Sequence, residues 1–447
     1  MADIKKQAFF RKLSAENADK DNFPLMETLG EYYEKTTQEA PHCFSRFELA
    51  KSRLVFYKHK SIASLPDYLI EFESGLIKSG AKVLYAEDAL SAVEEVSKLI
   101  SSKDEIFVSE DRLVKEIDLI PFFKEKNIKY QNSHISDLPY PMLPYSTSFF
   151  LELLGKRLGA ENLKSQPRQL ISLYKSQLLE SSFKDSVYIS SADFLVADPA
   201  AVVILENDGV GNVLSSLCKK QIIIAGIDQI IASLNELDYF TSLLSSVTRG
   251  SLSSWSQSLF FGPKTAKEID GPEEMYVILI DNGRTRLLKE AIQRSVFSCI
   301  HCGACTALCP VFKHINSSYR QLSGPLDCVV NPIKDGFDKS AYMAFACTLC
   351  GRCTEVCPSK VDFQEMILYN RKESVEKDSF ASIKRHQMKL LKKMMLKQKA
   401  LDSIYNRLIL KMTFKKNFGF KKEFPDLSKK SFHILWKDMQ KKKINNI

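Results

Sequence analysis

The chain of 447 residues lacks any run of about 18 uninterrupted apolar residues, so no membrane-spanning helix is expected. Its first residues, Met1-Ala-Asp-Ile-Lys-Lys-Gln-Ala-Phe-Phe-Arg-Lys-Leu13, lack the continuous apolar stretch of a secretory signal. A Cys-x-x-Cys-His haem-attachment site is absent. Gly209-Val-Gly211 hints at a dinucleotide loop, but the third glycine of that fingerprint is missing. These absences point to a soluble, cytoplasmic protein without haem or a recognisable organic cofactor. With 45% hydrophobic and 26% charged residues, a disordered or fibrous chain is also excluded.

Cysteine is plentiful instead. Eight of the 11 cysteines fall in two tight groups, and Cys43, Cys218 and Cys328 stand alone as small hydrophobes. Clustered cysteines in a chain without export signals read as metal ligands rather than disulfides.

Both groups have one spacing, C-x2-C-x2-C-x3-C-P: Cys299, Cys302, Cys305 and Cys309 before Pro310, and Cys347, Cys350, Cys353 and Cys357 before Pro358. This is the run of bacterial two-cluster ferredoxins, in which the fourth cysteine ligates the other cluster. Three closely spaced thiolates can each take one corner of a cubane, while Gly303 and Gly351 let the loop turn around it. The expected ligand sets are Cys299, Cys302, Cys305 and Cys357 for one [4Fe-4S] cluster, and Cys347, Cys350, Cys353 and Cys309 for the other. Structural zinc is the alternative donor chemistry, but zinc ribbons use two separated C-x2-C pairs. His301 and His314 are expected to be exposed loop residues, and Arg352 either raises a cluster potential or faces a partner.

Upstream, Leu65–Gly80 reads as a helix closed by glycine, and Asp88–Ile100 as an amphipathic helix with Ala92, Val93, Val96 and Ile100 on one face. A further helix is expected through Val114, Ile117 and Leu119. Short apolar runs at Ala81–Ala86, Glu105–Ser109, Val187–Ile189, Phe194–Ala197, Ala201–Leu205, Gln221–Ala225 and Met275–Ile280 predict strands of a buried sheet. The fold class is therefore an α/β domain over residues 1–285, a helical two-cluster ferredoxin domain over 286–376, and a basic helical tail over 377–447. Residues 381–447 carry 19 Lys and Arg against four Asp and Glu, so the rest of the chain is mildly acidic. A Lys-rich helix with Leu and Met on one face suits a partner's groove or an anionic membrane surface. No nucleic-acid reading motif accompanies the charge.

The order of these parts, with Asp270-Gly-Pro-Glu-Glu-Met-Tyr-Val-Ile-Leu-Ile-Asp-Asn-Gly-Arg284 before the first cysteine motif, resembles the iron–sulfur subunit of the lactate utilisation complex. Ser64–Glu73 and Ser431–Lys437 are similar to that family as well. The resemblance implies a lactate-utilisation fold related to CoA transferases and sugar-phosphate isomerases. It also implies L-lactate oxidation to pyruvate together with a cysteine-rich, heterodisulfide-reductase-like subunit and a second lactate-utilisation-domain subunit. No catalytic residue is assigned to this chain, which relays electrons. Another 2-hydroxy-acid or disulfide oxidoreductase is the nearest alternative. A CoA-transferase-like ligand-binding role is a third, because Glu206-Asn207 is similar to the glutamate turn of those enzymes. The simpler expectation is that Glu206 caps a turn.

Overall fold

The computed structural model describes residues 23–133, 151–179 and 183–206 apart from 152, 153, 157, 164, 165 and 184. It further describes 209–253, 256–315, 324–340, 342–376 and 432–444, with positions 389, 392 and 396. The chain divides into two compact units, Met1–Glu373 and Ser374–Ile447.

The described residues of the first unit start with the helices α1 (Phe23–Glu39), α2 (Phe47–Ala63) and α3 (Leu65–Lys78), the last closed by Gly80 at φ +93°. Then come β1 (Lys82–Ala86), α4 (Ala89–Leu99), β2 (Glu105–Val108), α5 (Arg112–Glu116), α6 (Leu119–Glu125) and β3 (Gln131–Asn132). The helix expected through Val114–Leu119 is thus two helices, because Asp118 takes a left-handed φ of 55° between them. The Asp88 carboxylate caps α4 by accepting from the Ser91 backbone N–H at 2.9 Å.

The strands that follow are β4 (Ser186–Ser191), β5 (Phe194–Asp198), β6 (Ala201–Glu206), β7 (Lys220–Gly226), β8 (Ile230–Ser233), β9 (Ser256–Phe260) and β10 (Glu274–Ile280). Helix α7 (Val210–Leu217) precedes β7, and α8 (Leu234–Arg249) follows β8. They form two sheets rather than one. The first has order β1-β10-β7-β4-β2-β3 with every pairing parallel. The second has order β8-β5-β6-β9, with β5 and β6 an antiparallel hairpin. β3, β8 and β9 are additions to the strands expected from the sequence.

A parallel sheet is covered on both faces, so its strands are apolar at successive positions. Side-chain alternation then sorts them. Ile222, Ile224, Ile278 and Ile280 face Ala92, Val93 and Val96 of α4, with Leu113 and Phe123 beyond. Ile223, Ala225, Val277 and Leu279 face the second sheet through Leu195, Val202 and Ile204, with Phe72 and Leu76 of α3. Phe72 and Leu76 are fully buried, each worth about 1.5–3 kcal/mol of transfer free energy. α3 approaches the β5–β6 turn closely because of Gly75, where a Cβ would lie 2.4 Å from that of Ala200.

The other face of the second sheet carries α8, α1 and the first cysteine motif. Phe194, Val203 and Ile231 pack with Phe240 and Leu244, with Tyr33, and with Ile300, Ala304 and Leu308. This packing holds the cysteine region against the α/β domain. Downstream, Phe337–Ser340 and Tyr342–Ala346 are helical before the second motif, and α9 (Phe363–Glu376) follows it.

In the second unit α10 (Phe432–Ile444) is helical and exposes Phe432 and Trp436, whose rings stack 5.9 Å apart. Of the basic helical tail expected over 377–447, residues 377–431 lie outside the described residues apart from positions 389, 392 and 396. Among the described residues no helix is long and apolar enough to cross a membrane.

Candidate iron–sulfur centres and the adjoining cavity

The two motifs fold alike. His301 and Leu349, the third residue of each, have left-handed φ values of 54° and 56°, and Gly303 and Gly351 have φ of 78° and 81°. Each glycine starts a one-turn helix, Ala304–Ala307 or Arg352–Glu355. The tight loop aims backbone donors at sulfur: His301 N–H donates to Cys299 Sγ and Leu349 N–H to Cys347 Sγ, both at 3.3 Å. Val361 N–H donates to Cys357 Sγ at 3.4 Å. Tyr33 of α1 donates its hydroxyl to the Cys302 carbonyl at 2.9 Å, which pins the first loop to the domain.

Cys299, Cys302, Cys305 and Cys357 line one cavity of about 210 Å³. Cys309, Cys347, Cys350 and Cys353 line a second of about 20 Å³. Each cavity therefore draws three thiols from one motif and the fourth from the other. Among the described residues no three His, Cys, Asp or Glu side chains converge on a single ion. The thiols ring a space instead, as the separated corners of a cubane require.

Their electrostatics follows the same grouping. Burial pushes the Cys302 thiol up, and neighbouring Cys357 and Cys299 push it further. Burial and then Cys299 raise Cys357 to about 12. Burial raises Cys353 to about 11, reinforced by Cys347 and Cys309. Four such thiolates repel one another unless a positive centre sits among them, so the donor set fits an iron cluster. The sets differ in depth: Cys302 and Cys357 are buried, whereas Cys350 is exposed.

Arg352 is neither a bare charge beside a cluster nor a free surface group. Its Nη2 donates to both carboxylate oxygens of Glu34 on α1, at 2.6 and 2.7 Å. His301 departs from expectation too. It is partly buried and lines the first cavity, and burial together with Arg112 holds its pKa well below the usual imidazole value. The His314 side chain lies outside the described residues. Cys218 and Cys328 are buried as expected, and Cys43 is partly buried with Sγ donating to the Gly250 carbonyl at 3.3 Å.

The first cavity reaches beyond the cysteines to the carboxyl edge of the parallel sheet, the edge at which open α/β sheets bind ligands. Ser109, Asp111 and Arg112 after β2, Ser191 and Asp193 at the end of β4, and Lys58 of α2 all line it. Sequence reasoning missed these residues, although the carboxyl-edge rule applied to Glu105–Val108 would have pointed at Ser109–Arg112. Burial pushes the Asp193 carboxyl up to about 7, opposed by the Leu205 N–H it accepts. Lys58 is buried, which lowers its pKa, and its Nζ donates to the Asp228 carbonyl at 2.7 Å. Glu206 lines the cavity as well, and its Oε2 accepts from the Asn212 backbone N–H at 3.0 Å, the turn-capping role.

The edge is braced by Arg284, from the Asp281-Asn-Gly-Arg turn after β10. Its Nη1 and Nη2 donate to the Glu116 carboxylate at 2.9 and 3.0 Å, and its Nε donates to Asp228. Burial alone would raise both carboxyls. The guanidinium overrides it, holding Glu116 at about 2 and Asp228 well below the usual carboxylate range.

Two family models match in series, a LUD domain over residues 69–280 and a 4Fe-4S dicluster domain over residues 295–361. The chain thus joins a LUD-type α/β domain to a dicluster iron–sulfur domain. Among characterised proteins it is similar to Lactate utilization protein B. The protein of that name from Bacillus subtilis (strain 168) is 29% identical over 340 residues, covering 72% of this chain and 70% of the relative. That from Bacillus cereus (strain B4264) is 27% identical over 418 residues, covering 86% and 87%. A crystal structure of a DUF162 family protein from Deinococcus radiodurans overlaps 48% of this chain and 98% of its own, at 12% identity and a TM-score of 0.29.

Proposed function

We propose that this protein is the electron-transfer subunit of a system that oxidises L-lactate to pyruvate, relaying single electrons through two [4Fe-4S] clusters. The observation that carries the reading is the pair of cavities, each lined by three cysteines of one motif and the fourth of the other. Cys299, Cys302, Cys305 and Cys357 hold the inner cluster. Cys347, Cys350, Cys353 and Cys309 hold the outer one. Lactate oxidation releases two electrons and two protons, and each cluster accepts one electron at a time, so two in series divide the pair. The exposed Cys350 favours the outer cluster as the port to a redox partner. The choice of lactate rests on the similarity to Lactate utilization protein B.

The organisation that goes with this role is a LUD-type domain over 1–285, a two-cluster domain over 286–376 and a basic tail over 377–447. The partners are a cysteine-rich, heterodisulfide-reductase-like subunit and a second LUD-domain subunit. The basic tail docks on one of them or on the inner membrane surface. Loss of assembly or of membrane association on deleting residues after Phe380 supports that docking, and unchanged assembly and association refute it.

EPR of the complex isolated anaerobically, before and after L-lactate, tests the role. A reduced four-iron signal on adding lactate supports it. Reduction by dithionite but not by lactate removes the substrate assignment and leaves the relay.

A further inference from the structure

The inner cavity has two ends, the cysteine quartet and the carboxyl edge of β2 and β4. At the sheet end one oxygen of each of three carboxylates is engaged. Asp111 Oδ2 accepts from Ser191 N–H at 3.1 Å, Asp193 Oδ2 from Leu205 N–H at 2.7 Å, and Glu206 Oε2 from Asn212 N–H at 3.0 Å. Lys58 is spent on the Asp228 carbonyl. Beside them donor capacity remains. Among the described residues Arg112 Nη2 and Ser191 Oγ are buried atoms without a hydrogen-bond partner, and both residues line the cavity. Arg112 reaches Glu116 only through Nη1, at 3.4 Å. A buried, unsatisfied guanidinium nitrogen is costly, and a guanidinium and a hydroxyl that line one cavity are both donors a carboxylate can accept from.

We propose that the sheet end of this cavity binds a small 2-hydroxy or 2-oxo carboxylate, its carboxylate on Arg112 and Ser191, beside the Cys299–Cys302–Cys305–Cys357 quartet. The choice of a 2-hydroxy or 2-oxo acid rests on the lactate reading above; the carboxylate itself rests on the donors. Ala192, Ile204 and Leu205 supply an apolar wall for a methyl group. Asp193, with its carboxyl at about 7, exchanges a proton near neutral pH and can accept from a hydroxyl or donate to a carbonyl. The acid so held lies between the LUD domain and the inner cluster, which gives the α/β domain a ligand of its own in an electron-transfer subunit.

Calorimetric titration of the full-length, cluster-loaded, oxidised chain with L-lactate, pyruvate and the neutral lactamide tests this without any partner. Lactate or pyruvate binds and lactamide does not. Arg112→Gln weakens binding by about ten- to a hundredfold. Ser191→Ala, which removes one oxygen and leaves the fold intact, weakens it several-fold and keeps the test decisive if Arg112→Gln folds poorly. No heat with either acid at millimolar concentration, equal affinity for lactamide, or unchanged affinity in Ser191→Ala overturns the inference. The relay is scored separately, by dithionite reduction of the same sample. A chain that binds no acid yet reduces both clusters sinks this inference alone, and one that binds the acid but cannot be reduced sinks the relay.

Discussion

Replacing Arg284 by Leu removes the cation that bridges Glu116 and Asp228 and leaves Glu116 only its longer ion pairs with Arg112 at 3.4 Å and Lys334 at 3.9 Å. Arg284 is 7% exposed and holds Glu116 through two bonds, Asp228 through Nε and the Asp281 carbonyl at 3.1 Å. Breaking a buried ion pair from one side costs about 3–5 kcal/mol, because the remaining charge is stranded. A domain of roughly 150–250 residues loses about 2–4 °C per kcal/mol, so melting should fall by about 6–20 °C in far-UV circular dichroism. The pH dependence carries a second signature. Glu116 is held at about 2, below its unfolded value near 4.5, so its stabilisation is present above the unfolded value and lost as pH falls towards 2. In Arg284→Leu burial of Glu116 is opposed only by the longer contacts to Arg112 and Lys334, the carboxyls rise, and acidification towards pH 5 should destabilise the variant less than wild type. A variant melting within about 2 °C of wild type, with an unchanged pH profile, would refute the reasoning.

Three further outcomes follow from the same geometry. Cys357→Ser should abolish the inner cluster while leaving the outer one, and Cys309→Ser the reverse, although each residue belongs to the opposite motif. EPR and iron content of the two variants read this directly, and loss of the cluster of the residue's own motif would contradict the exchange. Gly211→Ala places a Cβ 2.2 Å from Glu206 Oε1 and 2.5 Å from the Tyr188 hydroxyl, which should cost about 1–3 kcal/mol in a denaturant melt. Asp193, raised to about 7, gives stability that is full below its unfolded pKa near 4 and lost as pH rises through 7. Wild type should therefore melt lower at pH 8 than at pH 6, and Asp193→Asn should flatten that difference.

What is legible in the sequence depends on how local the cause is. Cysteine spacing, the glycines inside each motif and the capped helix Ala89–Leu99 are set within a dozen residues, and the loops and helix form where those signals lie. The strands Gln221–Ala225 and Met275–Ile280 are visible because both faces of a parallel sheet are buried. The second sheet is not separable from the first by sequence, since Phe194–Ala197 and Ala201–Leu205 are equally apolar and only the pairing tells them apart. Ser256–Phe260 escapes because a half-exposed polar edge strand has little apolar signal. Arg112, Lys58 and Ser191 reach the first motif only through tertiary packing, so nothing in the sequence around Cys299 names them. His301 differs from its expected exposure for the same reason: tertiary packing leaves it partly buried on the first cavity.

Under the proposed function, two four-iron clusters on exchanged ligands accept electrons one at a time. Iron and acid-labile sulfide analysis with EPR during a dithionite titration of the anaerobically purified chain tests it most directly. About eight iron and about eight sulfide per chain are expected, with a second reduced-cluster signal appearing and coupling to the first as reduction proceeds. Zinc in place of iron, absence of sulfide, or no paramagnetic signal at any degree of reduction would contradict it.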